Sequence, residues 1–290
     1  MRYAVRQTTT YIYTPPASAA VHAIRCAPVD RSGQRVVDVR LSVTPFPVDL
    51  REASDFFGNA VSFARIGSAH PELLIESRFT AEIDREAIPL ASLSPPWETV
   101  MADADRRRFD ADAPIHYLYA SRIARLTPAI RAYVVESFSP GRPVLEAALE
   151  LMGRIKSDFE YDPKATDVAT PPERAFQIKR GVCQDFAHIM ISGLRGVGVP
   201  AAYVSGYLRT IPPPGKPRLE GADATHAWVD VWCGAQIGWI GLDPTNNLIV
   251  GNDHVVLAVG RDYADVSPVQ GVIHASGGHD LTVEVDVKPI

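Results

Sequence analysis

Residues 181–200 read GVCQDFAHIMISGLRGVGVP, a cysteine heading an apolar run. Phe186, Ile189, Met190, Leu194 and Val197 recur at helical spacing, and Gly198 followed by Pro200 closes the run. A helix is therefore expected from about Cys183 to Val197. Cys183 then lies at a helix N-terminus. There the amide dipoles favour a thiolate, and the unpaired N–H groups of the first turn can stabilise an oxyanion. Gly181, two residues earlier, permits close approach of backbone or substrate. Position alone leaves three readings open: an inert buried residue, a metal ligand and a nucleophile. The choice depends on what else in the chain could serve the thiol.

Two histidines compete as its base. His188 is five residues on, roughly 140° around the helix from Cys183, so it faces away as a packed or hydrogen-bonded residue. His226 lies in DATHAWVDVWC, residues 223–233. Strand alternation puts His226, Trp228, Asp230 and Trp232 on one face, and Ala227, Val229, Val231 and Cys233 on the other. A second strand, in GWIGLDPTNN (residues 238–247), follows a short turn holding Gly234 and Gly238. If Trp232 pairs with Trp239, Trp228 sits opposite Asp243 and His226 is diagonal to it. Diagonal neighbours are about 7–8 Å apart at the backbone, which an imidazole and a carboxylate can bridge. Pro244 ends the strand and holds the carboxylate at its rim.

Those three segments fit one chemistry. Cys183 would attack a carbonyl, His226 would pair with the thiolate and protonate the leaving amine, and Asp243 would orient the imidazole and favour its charged form. A zinc site drawn from Cys183, His188, His226 or Cys233 is the first rival. It lacks any C-x-x-C or H-x-x-x-H pair, and Cys233 alternates away from His226. A non-catalytic binding module using the same cleft is the second rival, and the complete set of three residues argues against it.

Outward from this centre the chain divides by pattern. Residues 1–88 read as short strands, from RYAVRQTTTYIYT through VHAIRCAPV and RVVDVRLSVTPFPVDL to ELLIESRFTAEI, with turn residues at the rhythm of a small β-sandwich. Residues 89–114, rich in Pro and Asp, read as a linker. Within it Arg106, Arg107 and Arg108 are interleaved with aspartates, as in a solvated charged segment. Residues 115–290 form the expected catalytic unit. A helix over PVLEAALELMGRIKSDF precedes the Cys183 helix, and AAYVSGYLR, HVVLAVG and LTVEVDV add strands, an α+β pattern.

Composition sets the outer bounds. Of 290 residues, 46% are apolar and 22% charged, enough for a sizeable core. A net charge of -5 argues against nucleic acid as a partner. No run reaches the roughly 18–20 apolar residues that span a bilayer, and the N-terminus lacks the apolar centre of a signal peptide, so no membrane partner is expected. The odd, scattered Cys26, Cys183 and Cys233 suggest a reduced, cytoplasmic setting.

GVCQDFAHIMISGLRGVGVPAAYVSGYL, DATHAWVDVW and GWIGLDPTNN, with FEYDPKATDVATPPERAF upstream (159–176), together resemble the transglutaminase-like superfamily in its bacterial branch. FFGNAVSFARI, residues 56–66, resembles that family's N-terminal β domain. The resemblance implies a papain-like core carrying a Cys-His-Asp triad at Cys183, His226 and Asp243. It implies a thioester formed with loss of an amine from a peptide or protein substrate, and resolved by water or by a second amine. Bacterial members are similar to cysteine peptidases more often than to cross-linking enzymes, so hydrolysis is expected, with glutamine transglutamination as the alternative. No cofactor or metal is implied, and nothing resembles the calcium-regulated domains of animal transglutaminases. Gln177, six residues before Cys183, has the spacing of a papain-like oxyanion donor, although a polar helix surface explains it as well. With Trp228 and Tyr207 it is a candidate substrate contact. Trp228, Trp232 and Trp239 are explained equally by cross-strand packing. Gln184 and Asp185 read as capping or supporting groups. His254, His274, His279, Cys26 and Cys233 receive no role.

Overall fold

The structure, a computed structural model, describes residues 1–104, 110, 113–210 and 224–290. The cluster Arg106, Arg107 and Arg108 and nearly all of the 210–224 loop lie outside these described residues.

Period-two patterning builds the N-terminal half. β1 (Arg2–Ala17) buries Tyr3, Val5, Tyr11 and Tyr13 along one side. β2 (Ala19–Ile24), β3 (Gln34–Thr44), β4 (Asp49–Ser54), β5 (Ala60–Ile66) and β6 (His70–Ile83) follow. They pair antiparallel in two sheets, whose facing sides share a core that includes Tyr11, Ile24, Val43, Ile66 and Leu73.

Helical spacing then takes over. α1 (Trp97–Ala104), α2 (Pro128–Val135) and α3 (Val144–Asp158) lead through β7 (Glu160–Tyr161), α4 (Pro172–Ile178) and β8 (Arg180–Gly181) to α5 (Cys183–Gly196). Next, β9 (Ala201–Leu208), β10 (Ala224–Trp232), β11 (Trp239–Asp243), β12 (Leu248–Ile249) and β13 (His254–Gly260) form an antiparallel five-stranded sheet in the order β12-β11-β10-β9-β13. Finally come α6 (Tyr263–Val266), β14 (Val269–His274) and β15 (Gly278–Pro289). The fold is α+β, a sheet-rich N-terminal region joined to a helix-on-sheet core.

The last strands correct the expected division at 115–290. β15 pairs with β1 from Tyr3–Pro289 to Thr14–Gly278, and β14 pairs with β2. Residues 269–289 therefore complete the two N-terminal sheets rather than the catalytic unit. Alternation in LTVEVDV marks a strand but does not name its partner. The 89–114 linker is also partly structured. It contains α1, whose Val100 and Ala104, one turn apart, are buried.

α5 is wrapped more fully than its apolar stripe suggests, with residues 186 to 195 all buried. One side meets Ala227, Val229 and Val231 of β10. Another meets α2 so closely that a Cβ on Gly193 would lie 2.1 Å from Val134. Only glycine allows that approach.

β13 is an edge strand, and its outward N–H and C=O groups need partners. Two buried amide side chains of the N-terminal region supply them. Gln34 donates to the Val256 carbonyl and accepts from its N–H, both at 2.8 Å. Asn59 does the same for Val259 at 2.8 and 2.9 Å. Each amide stands in for a missing strand and fixes the sandwich against the core. Among the described residues, no helix is long and apolar enough to cross a membrane.

Replacing either amide, by Gln34→Ala or Asn59→Ala, strands a buried backbone pair and is expected to cost about 1–3 kcal/mol. Urea unfolding checks this, and unchanged midpoints would show that the β13 edge is held in another way.

Candidate active site

The thiol is placed by a tight turn into α5. β7 and β8 pair in parallel and deliver Gly181 to the helix start. Asp185, on the first turn of α5, accepts the Val182 N–H at 2.8 Å and the Thr166 hydroxyl at 2.6 Å. A Cβ on Gly181 would lie 2.5 Å from that carboxylate, so the turn closes only over glycine. Asp185 is thus the capping group expected, while Gln184 reaches the Val168 carbonyl at 3.4 Å. Cys183 emerges half-buried as the first residue of α5.

His226 and Asp243 come from neighbouring strands whose register is the expected one, with Trp232 opposite Trp239. His226 Nε2 lies 2.8 Å from Asp243 Oδ2, and Cys183 is near enough to act on the imidazole. With Nε2 committed to Asp243, Nδ1 is the nitrogen left for the thiol. The three residues expected from the sequence therefore meet.

Asp243 is wholly buried, with 0% exposure, and is surrounded by donors. Its Oδ1 accepts the N–H groups of Thr245 and Asn246 at 3.0 and 3.2 Å. Its Oδ2 takes His226, the Asn246 side-chain amide at 2.7 Å and His254 Nε2 at 3.4 Å. Burial works to raise this carboxyl, but the hydrogen bonds from His226, His254 and Asn246 hold it well below the usual range. Burial likewise works to lower His226, yet its bond to Asp243 and the nearby Cys183 hold it up at about 10. Both shifts favour the carboxylate–imidazolium form of the pair.

His254 and Asn246 were missed by sequence reasoning. Asn246 carried a signal, since Asp-Pro followed by Asn is turn chemistry that folds back on the aspartate. His254 heads β13, two strands away from β10, and nothing local announces that it reaches Asp243. Exposed Tyr161 of β7 was also missed. Its hydroxyl is pushed up by burial and by the nearby Cys183.

The three candidate substrate contacts fare differently. Trp228 is fully buried, its ring 5.3 Å from His254 and 6.2 Å from His226, so it supports the histidines from beneath. Tyr207 is fully buried as well, packed on Phe79 and bonded through its hydroxyl to Gln7. It sits on the opposite strand face from His226 and belongs to the junction with the N-terminal sheets. Gln177 is exposed on α4, and among the described residues no hydrogen bond joins it to the triad. His188 is the packed residue expected, stacked on Tyr203 and accepting the Tyr263 N–H at 3.2 Å. Burial lowers its pKa to about 4.

His226, Asp243 and His254 bring ligand atoms within 4.8 Å of one another, a set able to hold a metal ion. The direct 2.8 Å His226–Asp243 bond would have to open to admit one, because ligands around zinc at about 2.0 Å stand farther apart. As it stands the set is a hydrogen-bonded charge cluster.

A helix-borne thiol facing a histidine–carboxylate pair on an antiparallel sheet defines a thiol-site protein of α+β fold. Residues 3–82 match the bacterial transglutaminase-like N-terminal region, and residues 131–244, which hold Cys183, His226 and Asp243, match the transglutaminase-like superfamily. The chain is 36% identical to an uncharacterized protein of Mycobacterium tuberculosis, over 99% of this chain and 93% of that one. It belongs to the transglutaminase-like superfamily. A 103-residue stretch, 33% of this chain and 15% of the relative, is 32% identical to a protein-glutamine gamma-glutamyltransferase of Pseudomonas aeruginosa. A solved structure from Cytophaga hutchinsonii, described as a candidate cysteine protease, shares the fold. Its TM-score is 0.76 at 22% identity, over 99% of this chain and 90% of that one.

Iodoacetamide should label Cys183 well before Cys26 and Cys233, whose thiols burial pushes up to about 12. His226→Ala should slow Cys183 labelling, as read by peptide mass mapping. Equal slow labelling of all three would count against an activated thiol. The pair also sets a pH window. The His226 contribution to stability is complete below its ordinary value of 6.5 and is lost as pH climbs through about 10. That of Asp243 is present above 3.8 and is lost as pH falls through its lower folded value. Asp243→Asn should flatten both flanks of the unfolding midpoint plotted against pH.

Proposed function

We propose that the protein is a cysteine-dependent hydrolase of peptide or amide bonds. The observation that carries this reading is His226, bonded to the buried Asp243 at 2.8 Å and close enough to Cys183 to feel its charge. The Cys183 sulfur forms a bond to the substrate carbonyl carbon, and the oxyanion is met by free N–H groups of the first α5 turn. The C–N bond breaks as His226 gives its proton to the departing amine, leaving a thioester on Cys183. Water then attacks the thioester, His226 taking its proton, and the acid leaves as the thiol is regenerated. Asp243 holds the imidazole in one orientation and stabilises its charged form throughout. Exposed Tyr161 beside Cys183 offers an aromatic surface to a peptide.

The second reading is transfer of the acyl group to an amine, favoured by the likeness to the Pseudomonas aeruginosa gamma-glutamyltransferase. Both readings share the first half-reaction and differ in what resolves the thioester. Three unpaired cysteines fit a cytoplasmic setting, and the net charge of -5 fits a peptide or protein partner better than nucleic acid.

Incubation with a peptide library and a labelled primary amine, read by mass spectrometry, separates the two. Cleaved or deamidated peptides should dominate over amine adducts. Cys183→Ala should abolish both products, and His226→Ala should lower turnover by about a thousandfold or more. Predominant amine incorporation would replace hydrolysis with transfer, and full activity in Cys183→Ala would remove the thiol mechanism altogether.

A further inference from the structure

The core sheet has a second working face. Opposite α5, β10 meets the N-terminal sandwich across a cavity of about 650 Å³, within the range of small-molecule sites. Trp228, Asp230, Trp239 and Val256 line the sheet side, and Arg31 and Arg85 line the sandwich side. The charges there are held without neutralising one another. Arg31 donates to the Asn59 side-chain carbonyl at 2.6 Å, while its Nε is buried without a partner. Arg85 donates to the Gly251 and His254 backbone carbonyls at 3.2 Å each, and neither carries charge. Asp230 shares a face of β10 with Trp228, two residues away, and among the described residues no ion pair joins it to either arginine, which act on it as neighbouring charges. Burial raises the Asp230 carboxyl to about 6 and lowers both guanidinium groups.

Half-buried charges without direct pairing are incompletely solvated, and a complementary ligand offsets that cost. The complement of one carboxylate and two guanidinium groups is one ammonium and two carboxylates. Apolar wall from Trp228, Trp239 and Val256 suits the carbon chain between them. We propose that this cavity binds a small acidic zwitterion, an acidic amino acid or a short peptide containing one, with its ammonium on Asp230 and its carboxylates on Arg31 and Arg85. The site communicates with the triad by contact. Trp228 stands beside Asp230 in the cavity wall and packs on His226 and His254, and Arg85 holds the His254 carbonyl. Occupancy is therefore felt at the two histidines that surround Asp243. The proposal does not depend on whether Cys183 hydrolyses or transfers.

The test is calorimetric titration of the full chain with L-glutamate and with alanylglutamate, with succinate as the probe that lacks an ammonium. Tryptophan fluorescence serves as a second readout, since Trp228 and Trp239 line the cavity. Saturable binding of one zwitterion per chain is expected, with a fluorescence change and with succinate weaker by about 10-fold or more. Tighter glutamate assigns the site to the free amino acid and tighter alanylglutamate to a peptide, and either supports the proposal. Asp230→Asn keeps the size and should weaken the zwitterion by about 10-fold or more. Ala202→Leu, which fills cavity space from β9, should weaken it independently should the first variant fail to fold. No saturable heat with either zwitterion at millimolar concentration, or equal affinity in a folded Asp230→Asn, would overturn it.

Discussion

The fully buried carboxylate of Asp243 is the constraint around which the core is arranged. A desolvated negative charge is tolerated only when donors surround it. Here the donors come from β10, from β13 and from the turn after β11. Slipping any of these strands by one residue would carry its side chains to the other face and strand the charge. Trp228 reinforces the arrangement, since its ring crosses β9 where a Cβ on Gly206 would lie 2.4 Å away. The atoms that make Asp243 tolerable are the same atoms that aim His226 at Cys183. Stability of the sheet and geometry of the site are one requirement.

The division of labour between helix and sheet follows from burial. α5 is covered on every side from residue 186 onward, so its N-terminus is where a side chain can be both fixed and reachable. Cys183 uses that position, half-buried, while Cys26 and Cys233 lie in the interior as weak acids. Access to three chemically identical thiols is thus decided by where the chain puts them.

What the sequence revealed tracks the range of the physics involved. The α5 stripe, the alternation of β10 and the Trp232–Trp239 pairing depend on neighbours within a few turns or one hairpin, and the triad followed from them. His254 escaped because its approach to Asp243 crosses β9 and β10, a relation set by sheet order rather than by any local pattern. The burial of Trp228 and Tyr207 was hidden for a related reason. Alternation says which face a residue takes, but not whether that face opens to solvent or meets another layer. Here both faces are covered, Trp228 lying beneath the two histidines and Tyr207 lying against Phe79 of the N-terminal sheets. The return of β14 and β15 to the first sheets lay beyond reach for the same reason, since an amphipathic strand fits many edges.

That return changes the standing of the N-terminal region. Its sheets need residues 269–289 to be complete, its Gln34 and Asn59 close the edge of β13, and its Arg31 and Arg85 wall the cavity behind β10. An isolated core would expose an unpaired strand edge and lose the layer that covers Trp228 and Asp230. The Mycobacterium tuberculosis relative matches over 99% of this chain, spanning both halves together. Such interlocking makes the sandwich a working part of the site. The strand that carries His226 is backed by Trp228, which packs on His226 and His254 and shares a cavity wall with Arg31 and Arg85 of the sandwich.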